Sequence, residues 1–205
     1  MLQKLFILIC FPIPIFSQNL IQYGDFEQGD IHSSILPKGW YSCGHSGYTP
    51  PSTHVTDTLT IFGVTQKAYS GSRYISMVTR ADQSIECIGQ FLEKPLGKDA
   101  TYQIDIALSI SKIFKSRITL DSSEEIPFDT PADIEVYGLT QAGEAILIGA
   151  FSDISNTHWK VYSFWFEPKK VFHAIEFRTF YRFDEILPYN GHILIDAITL
   201  KETKD

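Results

Sequence analysis

Thr101-Tyr-Gln-Ile-Asp-Ile-Ala-Leu-Ser-Ile-Ser111 alternates side-chain character over a full strand length. Tyr102, Ile104, Ile106, Leu108 and Ile110 fall on one face, and Gln103, Asp105, Ala107 and Ser109 on the other. Period two with one apolar face is the pattern of a half-buried β-strand. The neighbouring segments repeat it. Upstream, Arg73–Thr79 and Ile85–Leu92 are rich in large and β-branched residues, and Pro95-Leu-Gly97 closes the second. Downstream, residues 132–140 and 145–151 flank the turn Gln141-Ala-Gly-Glu144 and read as a hairpin. Residues 159–166 set Tyr162, Phe164 and Phe166 against Val161, Ser163 and Trp165, and Pro168 ends the run. Residues 174–182 follow, then the closing Asn190-Gly-His-Ile-Leu-Ile-Asp-Ala-Ile-Thr-Leu200, with 117–120 as a short additional candidate. About nine strands, frequent turn signals and no amphipathic helix predict an all-β fold, a β-sandwich of the jelly-roll kind.

The opening stretch, Asn19-Leu-Ile-Gln-Tyr-Gly-Asp-Phe-Glu-Gln28, reads as a first strand that meets the last one, where Asp196 is a lone acid among Ile and Leu. Between them, residues 28–72 form a long irregular region rich in Gly and Pro. Trp40 is expected to plug one end of the core from there. Residues 1–17 combine a basic start at Lys4, an apolar run and a small residue at Ser17, the three-part pattern of a secretory signal peptide too short to span a membrane. A single domain, 18–205, is expected after it, in an exported, extracellular or cell-surface protein with no membrane insertion.

The chain carries 17 basic and 24 acidic residues. Removing Lys4 with the signal leaves 16 − 24 = −8, which argues against nucleic acid or an anionic membrane as partner. Cys43 and Cys87 then remain; in an oxidising compartment they are either a disulfide or two buried thiols. Neither a nucleophile elbow, a zinc-binding helix nor a distinctive pair of acids is visible, so no catalytic residue is assigned.

Several motifs carry a family resemblance. The opening Asn19–Glu27, Pro37-Lys-Gly-Trp40, Gln90–Leu96 followed by Tyr102, Ile134–Gly138, Trp159–Pro168, and Tyr189-Asn-Gly191 before the last strand occur in an order that resembles the galactose-binding-like jelly roll of carbohydrate-binding modules. More narrowly, the chain resembles secreted surface modules of Bacteroidetes. The resemblance implies a structural calcium tying the chain ends together. Glu27 and Asp196 would supply carboxylates, and carbonyls near Gly29 and around Ser72–Arg73 the remaining oxygens of a hard-cation shell. In the alternative reading, the two acids accept hydrogen bonds from loop amides or pair with Arg73.

Sugar sites combine aromatic planes with a few polar groups. The polar strand faces offer Gln103, Asp105, Tyr137, Trp165, Arg178 and Arg182, with Trp165 and Tyr137 expected to stack and Asp105 and Gln103 to bond hydroxyls. Each has a structural alternative, such as Arg178 pairing with Glu176. The expected function is a secreted, non-catalytic, carbohydrate-binding module whose partner is a glycan or a cell-surface protein. The alternative is a structural or protein-interaction component of the bacterial envelope.

Overall fold

The protein is described here from a computed structural model covering residues 18–30, 35–58, 61–182 and 188–203. The predicted signal peptide and the acids at 184 and 185 lie outside those residues. Thirteen strands are present among the described residues: β1 (Tyr41–Ser42), β2 (Ser52–Val55), β3 (Arg73–Thr79), β4 (Cys87–Leu96), β5 (Thr101–Ser109), β6 (Lys115–Ser116), β7 (Ile126–Pro127), β8 (Thr130–Pro131), β9 (Asp133–Leu139), β10 (Ala145–Phe151), β11 (Lys160–Phe166), β12 (Phe172–Phe180) and β13 (Gly191–Thr203). Four have two residues each, leaving nine longer strands; eight of these fall on the periodic segments, and β2 lies within the stretch expected to be irregular.

Two sheets make the sandwich. The front sheet runs β1-β4-β12-β9-β10; the back sheet runs β11-β5-β13-β3-β2, with β8 added in parallel beside β13. Every other pairing within them is antiparallel. Their inner faces meet through the apolar phase of each strand: Ile88 and Leu92 of β4, Ile134 and Val136 of β9, and Ile175 and Phe177 of β12 pack with Ile104, Ile106 and Leu108 of β5 and with Ile193 and Ile195 of β13. Fully burying one such side chain stabilises the fold by about 1.5–3 kcal/mol. Trp40 is buried against Phe26 and Phe177, and its indole N–H donates to the Tyr23 carbonyl, so it closes one end of this core.

The opening stretch departs from expectation. It is not a strand: Asn19 makes a single bridge to Lys201, and the chain then turns, with Tyr23 and Phe26 at positive φ. The chain ends do meet. Leu20 donates to the Leu200 carbonyl, Leu200 to Asn19 Oδ1, and Ile198 to the Gly24 carbonyl. Gly24 passes so close to β13 that a Cβ there would lie 2.0 Å from the Ile198 carbonyl oxygen, a separation only glycine permits. A bent segment replaces the strand because its carbonyls and amides are satisfied one at a time along β13. Residues 117–120 are likewise not a strand; Thr119 makes one bridge to Tyr48.

Candidate functional site: the outer face of the front sheet

Side chains alternate across a strand, so burial of Ile175 and Phe177 turns Glu176 and Arg178 outward. The register then fixes one continuous row across all five strands: Tyr41 opposite Gly89, Gly89 opposite Glu176, Glu176 opposite Tyr137, and Tyr137 opposite Leu147. Four inter-strand steps span about 19 Å at the ordinary strand spacing. A second outward row places Phe91 opposite Ala174 and Ala174 opposite Leu139; a third sets Cys87 against Arg178 and Arg178 against Glu135.

The chemistry along these rows is aromatic and charged together. Tyr41 lies over Gly89, where a Cβ would come 2.4 Å from the phenol ring. Its ring packs 5.0 Å from Phe91, which is 74% exposed. The Tyr41 hydroxyl donates to Glu176 Oε1 at 3.2 Å. Arg178 donates through Nε and Nη2 to Glu176 Oε2, at 3.0 and 2.6 Å, and its guanidinium sits 4.2 Å from the centre of the Tyr137 ring. Tyr137 in turn donates to Glu135 at 2.6 Å. Burial, followed by the Glu176 charge, pushes the Tyr41 phenol well above its ordinary value; burial and Glu135 raise Tyr137. Both phenols are therefore neutral hydrogen-bonding groups at physiological pH. The result is an outer face on which exposed Phe91 stands beside the Tyr41–Glu176–Arg178–Tyr137 network, with Gly89 covered by the Tyr41 ring and Ala174 buried beneath. Cys43 and Cys87 are joined by a disulfide beside it, with Cα atoms 4.9 Å apart, fastening the chain just after β1 to β4.

The six residues singled out from the sequence do not form one site. Tyr137 and Arg178 share the front face, but Arg178 covers Tyr137, so Tyr137 is not the stacking plane. Gln103, Asp105 and Trp165 belong to the back sheet, where Trp165 pairs with Gln103 and Ser163 with Asp105. Trp165 is 61% exposed there and also borders a cleft of about 520 Å³ at the open edge between β10 and β11. Asp105 is already committed, accepting from Gln103 (2.7 Å), Ser163 (2.6 Å) and Thr199 (3.3 Å). Arg182 lies past the end of β12, 3.6 Å from Asp153, and belongs to neither group. Tyr41, Phe91 and Glu135 were missed, while Glu176 was named only as the partner that Arg178 does take. Phe91 had a legible signal, since it stands on the outward phase of a strand whose inward phase is Ile88, Gln90 and Leu92.

The residues expected around a cation do come together at the junction of the chain ends, but with donors facing them. Glu27 Oε1 accepts from the Ser72 and Arg73 amides, both at 2.7 Å, and Oε2 from the Ser72 hydroxyl. Asp196 Oδ2 accepts from the Tyr69 and Ser70 amides, and Oδ1 from Ala197. The Gly29 carbonyl accepts from the Arg73 guanidinium at 3.0 Å, and the Ser72 carbonyl from the Thr56 amide. A calcium shell needs six to eight oxygens aimed inward. Here both carbonyls are spoken for, and a cationic side chain stands at one of them, so the residues as folded do not fit the ion. Burial pushes the Asp196 carboxyl up to about 7; its amide bonds oppose the rise and the Glu27 charge adds to it.

No family model matches the chain, and no curated protein matches it by sequence. Solved structures do match. The CBM22-1 xylan-binding domain of Paenibacillus barcinonensis Xyn10C superposes with a TM-score of 0.51 at 14% identity, covering 92% of this chain and 97% of that one. TmCBM61, solved in complex with β-1,4-galactotriose, gives 0.51 at 12%, covering 91% and 100%. The enzymatically active domain of bacteriophage CBA120 tailspike protein 4 gives 0.51 at 14%, with 90% of this chain matching only 21% of that one. At these identities the likeness concerns architecture: the chain has the jelly-roll β-sandwich fold found in carbohydrate-binding modules.

Proposed function

We propose that the protein is an exported, non-catalytic carbohydrate-binding module and that the outer face of its front sheet is the glycan platform. The observation that carries this reading is the continuous row from Tyr41 to Leu147, flanked by exposed Phe91 and by the Glu176–Arg178–Tyr137 network. An apolar plane recognises the C–H face of a sugar ring, and fixed carboxylates and a guanidinium recognise its hydroxyls. The hydrogen bonds among Tyr41, Glu176 and Arg178 hold these groups in place before ligand arrives, which lowers the ordering cost of binding. The full-length likeness to a xylan-binding domain and to a galactotriose-bound module supports the same reading.

The test is calorimetric titration of the purified protein with neutral xylo-, galacto-, gluco- and manno-oligosaccharides. Saturable binding to at least one series is expected. Phe91→Ala, a change at an exposed position, is expected to weaken it by at least tenfold, since truncating an aromatic anchor ordinarily costs about 2 kcal/mol. Trp165→Ala leaves it unchanged. Loss of binding in Trp165→Ala but not in Phe91→Ala would move the site to the back sheet. Binding to no glycan would favour the envelope-interaction alternative.

The same reading treats the chain-end junction as metal-independent, with Glu27 and Asp196 as hydrogen-bonded anchors. Thermal unfolding in EDTA is expected to match that in calcium within about 1 °C, because an ion bound only by the folded state would raise its stability by mass action. A fall of several degrees in EDTA, reversed by adding calcium, would reinstate the metal site.

A further inference from the structure

A second cleft opens at one end of the sandwich, away from the front face. Its volume is about 570 Å³, and three connections converge on it: Gly63–Ala68 between β2 and β3, Ile110–Ile113 between β5 and β6, and Thr157–Trp159 between β10 and β11. The loops are pinned. The Tyr74 hydroxyl donates to the Gln66 carbonyl at 2.8 Å, Gln66 Nε2 to Ser109 Oγ at 2.9 Å, Ser111 N–H to His192 Nε2 at 2.8 Å, and Ile110 N–H to the Asn156 carbonyl at 2.9 Å. Trp159 is fixed as well: its indole N–H donates to the Lys67 carbonyl at 2.7 Å, and its ring packs edge-on against Tyr74 and Tyr69.

The charge of this cleft runs against that of the protein. The chain is acidic, with a net charge of −7. Yet the described residues lining the cleft include Lys67, Lys112 and His158, and no acid. Lys112 makes no ion pair or hydrogen bond among the described residues. Among the described residues Lys67 reaches only Asp57, at 3.5 Å, with both side chains about three-quarters exposed, a pairing worth little in water. The rest of the lining divides between an apolar wall, Trp159, Ile110 and Ile113, and short polar groups, Thr65, Ser111 and Thr157.

An aromatic plane, hydroxyl partners and two mobile ammonium groups in one pre-formed cleft match a sugar that carries an anion. We propose that this cleft is a second binding site, distinct from the front-face platform, for an anionic sugar unit. The ring stacks on Trp159, and the carboxylate or sulfate pairs with Lys67 and Lys112. Ammonium groups suit this task because they act as rotatable point charges and do not require the planar geometry of a guanidinium pair. The inference rests on charge and geometry at this end of the molecule. It stands or falls separately from the front-face reading.

The experiment titrates the protein with a hexagalacturonate, a sulfated galacto-oligosaccharide and a neutral galacto-oligosaccharide of equal length. The variants are Lys67→Gln/Lys112→Gln and Phe91→Ala. At least one anionic ligand is expected to bind, to lose at least tenfold in affinity in the double-lysine variant, and to weaken as NaCl rises from 50 to 500 mM, as screening of an exposed charge pair requires. Phe91→Ala leaves that binding intact. Which anionic ligand responds identifies the anion. The proposal is overturned if neither anionic ligand binds, if both bind the double-lysine variant as tightly as the original protein, or if the neutral oligosaccharide shows the same lysine dependence. Lys67 and Lys112 are surface residues, so their replacement preserves folding; unchanged thermal unfolding of the variant verifies this.

Discussion

Arg80→Ala is expected to lower unfolding stability by about 3–5 kcal/mol at pH 8, the cost of leaving a buried charge without its partner. Arg80 is fully buried, and its Nη2 donates to Glu86 Oε1 at 2.6 Å and to the hydroxyl and carbonyl of Thr49 at 2.6 and 3.2 Å. Glu86, equally enclosed, also accepts from the Val78 amide and the Thr49 hydroxyl. Burial pushes its carboxyl upward, and Arg80 is the main influence holding it down. Without Arg80 the carboxyl rises further. An acid whose folded pKa exceeds its unfolded value contributes stability that is complete below the unfolded pKa and is lost as pH rises through the folded one. The penalty of Arg80→Ala is therefore smaller at pH 5 than at pH 8. Urea unfolding at both pH values checks this; an equal penalty at both would mean that Glu86 is not left ionised and unpaired. The pair holds the end of β3 against the start of β4, and Tyr181 adds a hydrogen bond to the Arg80 carbonyl from beyond β12. Replacing both partners by apolar residues of similar volume is expected to recover most of the loss.

Reduction of the Cys43–Cys87 bridge, or Cys43→Ser with Cys87→Ser, is expected to cost about 4 kcal/mol by the chain-entropy estimate for a loop of this length. The two cysteines are 44 residues apart. The effect reaches the site. β1 has only two residues, paired as Tyr41 with Gly89 and Ser42 with Ile88, and the bridge follows directly after it. A two-residue edge strand does not hold itself in place. Loss of the bridge releases Tyr41 from the platform, so glycan affinity falls together with stability. Thermal unfolding and oligosaccharide titration, with and without reductant, test both. A drop in melting temperature with unchanged affinity would show that Tyr41 is held by Glu176 and Phe91 alone.

The architecture was readable chiefly from β5, β9 and β11, where period two sets one buried face and a one-residue slip would turn the apolar set toward water; β2 and β3 are buried along their whole length and carry no such signal. β11 follows the alternation residue by residue, and β5 does so up to Ile106, after which Ala107 and Ser109 are buried as well. The opening segment was misread as a strand because its apolar residues, Leu20, Ile21 and Phe26, do enter the core. They do so from a turn, and turns carry no periodic signal. The site was legible only in pieces. Parity shows that Glu176, Arg178 and Tyr137 face outward, yet sheet order decides which outward residues are neighbours. β12 lies between β4 and β9, far from sequence order. That placement sets Glu176 between Gly89 and Tyr137 and puts Phe91 and Arg178 on one sheet, apart from Trp165. Tyr41 was hidden for another reason: it lies in a Gly- and Pro-rich stretch, and its position depends on the missing side chain of Gly89 and on a disulfide to β4. At the chain-end junction the sequence identifies the acids but not what faces them, and the orientation of the Ser72 and Arg73 amides separates an anchor from a cation site.

The most direct test of the platform is backbone and indole chemical-shift mapping of the labelled protein, titrated with the tightest-binding neutral oligosaccharide. The account predicts that the amides around Gly89–Phe91, Glu135–Tyr137 and Glu176–Arg178 shift together at saturation, while the indole resonance of Trp165 stays in place. Shifts centred on Trp165, Gln103 and Ser163 with a silent front sheet would contradict it.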